Sequence, residues 1–145
     1  MTSNKKIIIC DIDGTIANNK HRQHYLEGKK DWEGFFNSAD QDKPIKNIIQ
    51  EIISLQKENF EVVFVSGRPE LYRDLTLKWL AKYFHFEINL IMRKNNDKRD
   101  KVSVKKEIYN DEFKEKEIHL VFENDPKLVE MWLSMGLEVR FVDLE

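Results

Sequence analysis

Cysteine occurs once in this chain of 145 residues, proline three times and glycine five times. The lone Cys10 excludes an intrachain disulfide, which fits a reducing compartment and leaves no disulfide partner to expect. So few glycines and prolines exclude collagen-like repeats and flexible low-complexity linkers. No stretch approaches the ~18 apolar residues of a membrane span. The opening "MTSNKK" also lacks the apolar centre of a signal peptide. A cytoplasmic protein with no membrane partner is expected. Neither sign of charge dominates: the formal net charge of −2 excludes a whole-molecule attraction to nucleic acid and leaves only local ones open.

What is present fits one domain covering residues 1–145, long enough to bury a core. Apolar residues make up 41% and charged residues 34%, so a compact core under heavily charged helix faces is expected. Lys5 to Cys10 carries the continuous isoleucine run of a strand covered on both faces. From Gly14 to about Lys30 the pattern breaks into a polar loop, and "DWEGFF" predicts a short helix capped by Asp31. Pro44 opens a helix with the stripe Ile45, Ile48, Ile49, Ile52 and Ile53. "FEVVFVSGRP" is a second buried strand, and Pro69 begins a helix carrying Leu71, Tyr72, Leu75, Trp79 and Tyr83. "INLIMR", "IHLVFE" and "LEVRFV" predict three more strands, separated by helices over about 101–113 and "PKLVEMWLSMG".

This alternation predicts an α/β fold, Rossmann-like, with a parallel sheet of about five strands and helices on both faces. Right-handed crossovers then gather the carboxyl ends of the strands at one edge, where such folds bind ligands. That edge would collect Asp11 and Asp13, Ser66 to Arg68, Met92 and Arg93, and Glu123 to Asp125.

Asp11 and Asp13 are separated by one residue, so an extended backbone sends both carboxylates to one side. With Glu123 and Asp125 they offer an oxygen-rich pocket for a hard cation, Mg²⁺ above all, since Mg²⁺ takes one or two carboxylates plus substrate oxygens. Ser66 can donate to an anion, Arg68 can fork onto a phosphate and Lys105 can neutralise one. A phosphate held against a metal and a carboxylate is the chemistry these types share.

"DIDGT" after an apolar strand, "VFVSGRP", "VSVKKEI" and "LVFENDP" occur in that order. They resemble the four signatures of the haloacid dehalogenase superfamily of aspartate-nucleophile phosphatases, over nearly the whole chain. The resemblance implies catalytic Asp11, Asp13, Ser66 and Lys105. Asp11 would attack phosphorus to give an aspartyl-phosphate, and Asp13 would act as acid and then base. Ser66 and Lys105 would clamp the phosphoryl oxygens. A Mg²⁺ ion would be held by Asp11, by Asp13 through its carbonyl, and by one of Glu123, Asn124 and Asp125.

A narrower set, "GTIANNKHRQHY", "SGRPELYRDLTLKWL", "LIMRKNND", "VKKEIY" and "VEMWLSMGLEV", is similar to the phosphatase domain of bacteriophage polynucleotide kinase/phosphatases. It implies a small cap-like insert over about 15–42 and a phosphorylated nucleic-acid end, at its 3′ position, as partner. No GxxxxGK[ST] loop occurs, so no kinase domain is expected. Thr15, His21, Arg22, Gly67, Arg68, Arg93 and Arg99 are the candidates for substrate contact.

Two departures from the family pattern stand out: Asn124 falls where a metal-binding aspartate is expected, and Lys101 where an aspartate precedes the phosphate lysine. Either Lys101 or Lys105 can serve as that lysine, with Lys105 favoured by "VKKEI". The His21/His24 pair lacks the companion ligands of a zinc site, and Trp32, Phe35 and Phe36 read as core rather than a base-stacking platform. From Arg93 to Lys106 seven basic residues face only Asp97 and Asp100, a local excess of five positive charges that could guide a nucleic-acid backbone. A phosphatase of free nucleotides or other small esters stands as an alternative, as does a degenerate phosphate- or protein-binding module without catalysis.

Overall fold

An all-aliphatic run such as Ile7–Cys10 has no polar face to show water, and it occupies the centre of the sheet. In this computed structural model, which describes residues 4–143, the first elements are β1 (Ile7–Cys10), β2 (Ala17–Asn18), α1 (Trp32–Asn37), β3 (Lys43–Pro44) and α2 (Lys46–Lys57). There follow β4 (Glu61–Pro69), α3 (Arg73–Tyr83), β5 (Asn89–Arg93), α4 (Lys101–Glu112), β6 (Ile118–Glu123), α5 (Pro126–Ser134) and β7 (Val139–Phe141). The opening residues 1–3, on which the signal-peptide reading partly rests, lie outside the described residues.

The sheet has five strands in the order β5-β4-β1-β6-β7, and every pairing is parallel. The chain runs outward from β1 to β4 and β5, then crosses back to lay β6 on the other side of β1. The strand order therefore reverses between β1 and β6, the place where open α/β sheets form a ligand crevice.

The two-residue period of each strand sorts its side chains between two cores. Ile8, Cys10, Val62 and Phe64 pack with Ile48, Ile49 and Ile52 of α2 and Trp79 and Leu80 of α3. Ile7, Ile9, Val63 and Val65 pack instead with Phe113 and with Leu128, Met131 and Trp132 of α5. The strand and helix pattern legible in the sequence is this three-layer α/β arrangement. Among the described residues no helix is long and apolar enough to cross a membrane.

The differences are local. Pro44 belongs to β3, which pairs antiparallel with β2, and α2 starts at Lys46. Two-residue strands carry no periodicity, so the β2–β3 pair could not be seen in the sequence. Pro69 ends β4 rather than opening α3, because a 3-10 turn at Glu70–Tyr72 intervenes. Phe64, fully buried in β4, is expected to carry far more stability than Leu71, which is 73% exposed. Phe64→Ala should cost about 3–5 kcal/mol in urea unfolding, and Leu71→Ala should stay within about 0.5 kcal/mol.

Candidate active site

The chain leaves β1 through a tight turn in which the amides of Thr15, Ile16 and Ala17 all point to the Ile12 carbonyl. Gly14 makes this possible: its φ of +80° is left-handed, and any side chain there would collide with Asn124. The turn buries Ile12 in the core and sends Asp11 and Asp13 to two different sets of partners.

Asp11 stands over β6. Lys105 of α4 donates to its Oδ1 at 2.6 Å, and Thr15 donates to its Oδ2 at 2.9 Å. Lys105 also reaches Glu123 Oε1 at 3.2 Å, so two carboxylates share one ammonium. Glu123 is otherwise saturated by Trp132 Nε1 and by the amides of Asn124 and Asp125. Burial, and then the neighbouring Glu123, push the Asp11 carboxyl well above the usual carboxylate range, against the opposing pull of Lys105. Burial works against the Lys105 ammonium too, but Asp11 and Glu123 outweigh it and raise its pKa above the ordinary lysine value.

Asp13 faces the other way, into two guanidiniums. Arg68 donates to it from Nε at 3.1 Å and from Nη2 at 2.7 Å, and Arg22 Nη2 lies 2.5 Å from its Oδ1. Burial alone would raise the Asp13 carboxyl, but Arg68 and then Arg22 outweigh it and hold it well below its usual range. Both arginines are fixed from behind. Arg22 forks onto Asp42 at 2.8 and 2.7 Å and lies over the Phe35 ring, while Arg68 donates to Thr76 at 3.0 Å. Trp79 of α3 donates to the Asp42 carbonyl at 2.9 Å, which fastens the insert between β2 and α2 to the main body.

The strand ends bring together Asp11, Asp13, Thr15, Ser66, Arg68, Lys105 and the Glu123–Asp125 turn. Ser66 is buried and accepts from the Arg68 amide at 3.0 Å. Arg22, expected beside substrate, is fully buried and spoken for by Asp13, Asp42 and the Phe35 carbonyl. His21 is bound to Asp42 at 2.7 Å, and His24 donates from Nδ1 to the His21 carbonyl at 3.0 Å, so the pair does not converge on a common point. Of the two candidate lysines, Lys105 meets Asp11 and Lys101 pairs with Asp125. Three members of the basic run meet carboxylates, Arg99 at Asp97 and Glu107, Lys101 at Asp125 and Lys105 at Asp11 and Glu123, while Arg93 donates to backbone carbonyls. Phe35 is core as expected, whereas Trp32 is 49% exposed and stacks on Phe36. Asp42, Thr76 and Trp132 carried no motif; only the indole of Trp132, which needs a partner when buried, was a signal.

Among the described residues no three His, Cys, Asp or Glu side chains converge as a ready-made metal cage. The donors that do meet are oxygens: Thr15 Oγ lies 2.9 Å from Asp11 Oδ2 and 3.3 Å from Asn124 Oδ1, so one hydroxyl proton sits between two acceptors. Such a set fits a hard cation that keeps most of its coordination for water and substrate, as Mg²⁺ does. It carries less charge than a pair of carboxylates would.

A family model described as the polynucleotide kinase PNKP phosphatase domain matches residues 5–144. A protein of Autographa californica nuclear polyhedrosis virus, assigned as a bifunctional polynucleotide kinase/RNA ligase, is 27% identical over 139 residues, 94% of this chain and 19% of its own length. A chain in the Pnkp1/Rnl/Hen1 RNA repair complex superposes with a TM-score of 0.79 at 29% identity, covering 99% of this chain and 44% of that one. The class C acid phosphatase of Bacillus anthracis, at 17% identity and a TM-score of 0.65 over 98% of this chain and 67% of that one, shares the fold. The chain spans about a fifth of the viral relative and under half of the repair-complex chain.

Two stability measurements probe this electrostatic layout. A carboxyl raised above its unfolded pKa of about 3.9 costs folding energy progressively as pH rises through the interval between the two values. Asp11→Asn should therefore stabilise the protein by on the order of 1 kcal/mol, about 3–5 °C in Tm, at neutral pH. The gain should vanish below about pH 4 in thermal melts across pH. Asp42→Ala, which leaves Arg22 buried and half-paired, should cost about 3–5 kcal/mol in chemical denaturation.

Proposed function

We propose, from the premise that the chain belongs to the family of polynucleotide kinase PNKP phosphatase domains, that it removes the phosphate from the 3′ end of a nucleic-acid strand. It is a phosphatase of the haloacid dehalogenase type; the substrate, the residue roles and the cation are our reading. One observation carries it: two carboxylates one residue apart are given different partners, Asp11 the Lys105 ammonium at 2.6 Å and the Thr15 hydroxyl at 2.9 Å, Asp13 the guanidiniums of Arg68 and Arg22. Environments that separate a carboxylate pair in this way assign different tasks to its members.

In this reading an Asp11 oxygen attacks phosphorus, and the bond from phosphorus to the 3′ oxygen breaks. The leaving oxygen takes a proton from Asp13, which picks one up from solvent once the arriving phosphate draws Arg68 away from it. Water then attacks the aspartyl-phosphate, Asp13 accepts its proton, and inorganic phosphate departs with Asp11 restored. Asp13 suits the second step directly, being ionised and 25% exposed. Lys105 orients Asp11 and, with Ser66, meets the phosphoryl oxygens. Thr15 fixes the second Asp11 oxygen. Arg22 and Arg68 position Asp13, and the charge of an arriving phosphate competes with Asp13 for Arg68. Mg²⁺, held by Asp11, the Asp13 carbonyl and Asn124, would neutralise phosphate charge when bound. The short insert leaves the edge open to a strand, and the single buried cysteine suits a cytoplasmic setting.

Purified protein should be assayed with Mg²⁺ or EDTA on a 3′-phosphorylated oligonucleotide, its 5′-phosphorylated twin, nucleoside monophosphates and an aryl phosphate. Mg²⁺-dependent release from the 3′ end is expected, lost in Asp11→Asn and reduced about 10²–10⁴-fold in Asp13→Asn. Equal rates on nucleoside monophosphates would move the assignment to a small-ester phosphatase. Binding without turnover of any ester would indicate a non-catalytic module, the reading that Asn124 favours.

A further inference from the structure

The sequence offers His21 as a contact for substrate, yet its ring is committed inward. Nε2 lies 2.7 Å from Asp42 Oδ1, and the Asp42 side chain is fully buried while that of His21 is 41% exposed. Asp42 is a carboxylate gripped by Arg22 and can only accept, so Nε2 carries the proton and donates it. The same Oδ1 receives Arg22 Nε at 2.8 Å, and Oδ2 receives Arg22 Nη2 at 2.7 Å. Two donors therefore converge on Oδ1, one from the interior and one from the surface.

The effect of this bond reaches Asp13. Arg22 Nη2 has two protons to give, one to Asp42 Oδ2 and one to Asp13 Oδ1 at 2.5 Å. A guanidinium is flat and rigid, so Asp42 sets the plane of Arg22, and that plane sets one oxygen of Asp13. Arg68 completes the cluster, with Nη2 2.7 Å from Asp13 Oδ1 and 3.7 Å from Asp42 Oδ2. Two carboxylates and two guanidiniums then balance. Once an arriving phosphate draws Arg68 away, Asp13 is held through Arg22, and Arg22 through Asp42.

We infer that His21 is a positioning residue for Asp13: its Nε2–H locks Asp42, Asp42 locks Arg22, and Arg22 keeps Asp13 aimed at the leaving oxygen after Arg68 has turned to the phosphate. This rests on the phosphatase reading above and deepens it. Chain placement gives the bond its leverage. His21 lies in the 3-10 turn Lys20–Leu26 near the start of the insert, and Asp42 stands at its end, 21 residues on. Their bond closes the insert at a point one side chain away from Asp13. The turn that presents the ring is itself fastened, since His24 donates to the His21 carbonyl at 3.0 Å.

The test reads Asp13 through the leaving group. A nucleotide 3′ oxygen leaves as a strongly basic alkoxide and needs an acid, whereas p-nitrophenyl phosphate releases a weakly basic phenolate and does not. The measured quantity is the ratio of kcat/KM on a 3′-phosphorylated oligonucleotide to kcat/KM on p-nitrophenyl phosphate. His21→Ala should lower that ratio about 10-fold. His21→Met, which fills the space without a donor, should do the same, and His21→Gln, which brings an amide N–H to the place of Nε2, should restore it. In Asp13→Asn protein, His21→Ala should add nothing, because its effect passes through Asp13. Equal losses on both substrates would overturn the inference, as would a glutamine no better than methionine or a further loss in Asp13→Asn. Absence of turnover on every ester would refute the phosphatase reading, while hydrogen exchange at Arg22 Nε–H, followed by NMR, would still decide the chain of contacts. Loss of one hydrogen bond should speed that exchange about 10-fold in His21→Ala and His21→Met and not in His21→Gln. The same exchange rate in all four proteins would refute it.

Discussion

The fold ends its most buried strand in two carboxylates, and the surrounding structure keeps them apart. Asp11 and Asp13 would repel if left to each other in a low-dielectric crevice. The turn at Gly14 and the burial of Ile12 give each carboxylate its own cations, Lys105 for Asp11 and the Arg22/Arg68 pair for Asp13. Those cations are buried in turn, so each needs further partners: Glu123 and Trp132 behind Lys105, Asp42 behind Arg22, Thr76 behind Arg68. The crevice is thus the visible part of a polar network that reaches α3 and α5.

Such a network is costly, and its cost is informative. A buried ion pair contributes little net stability compared with apolar packing but is strongly destabilising when one partner is lost. A chain with no chemistry to perform would gain by burying leucines at these positions. Here Asp11 is buried beside a second carboxylate, Glu123, and shares the Lys105 ammonium with it, a crowding of charged groups that is kept at functional sites. Asp42 extends that logic to the insert, since one residue neutralises Arg22 through its side chain and receives Trp79 through its carbonyl.

Much of this was legible from one dimension. The isoleucine run, the helical stripe of α2 and the polar residues after β1, β4, β5 and β6 announced a parallel sheet with one functional edge. In such folds chain direction alone puts Asp11, Ser66 and Glu123 at that edge. Side-chain partners were not legible, because they depend on which distant element lies opposite. Arg22 and Arg68 read as hands for a phosphate, yet they grip Asp13. The basic stretch from Arg93 to Lys106 read as a uniform positive patch because the window stopped short of the partners of Arg99, Lys101 and Lys105, which are Glu107, Glu123 and Asp125 and, far upstream, Asp11. Within the same stretch Arg93 looked like its neighbours, and only the structure shows that three backbone carbonyls hold its guanidinium.

The account depends on Asp11 becoming covalently phosphorylated while Asp13 serves the water that follows. Asp13→Asn protein mixed with one equivalent of 3′-phosphorylated oligonucleotide, quenched in acid and digested for mass spectrometry, tests this most directly. A phosphoryl group on the peptide containing Asp11, in step with release of the 3′-hydroxyl strand, is the predicted result. Release of the strand with that peptide unmodified throughout would contradict it.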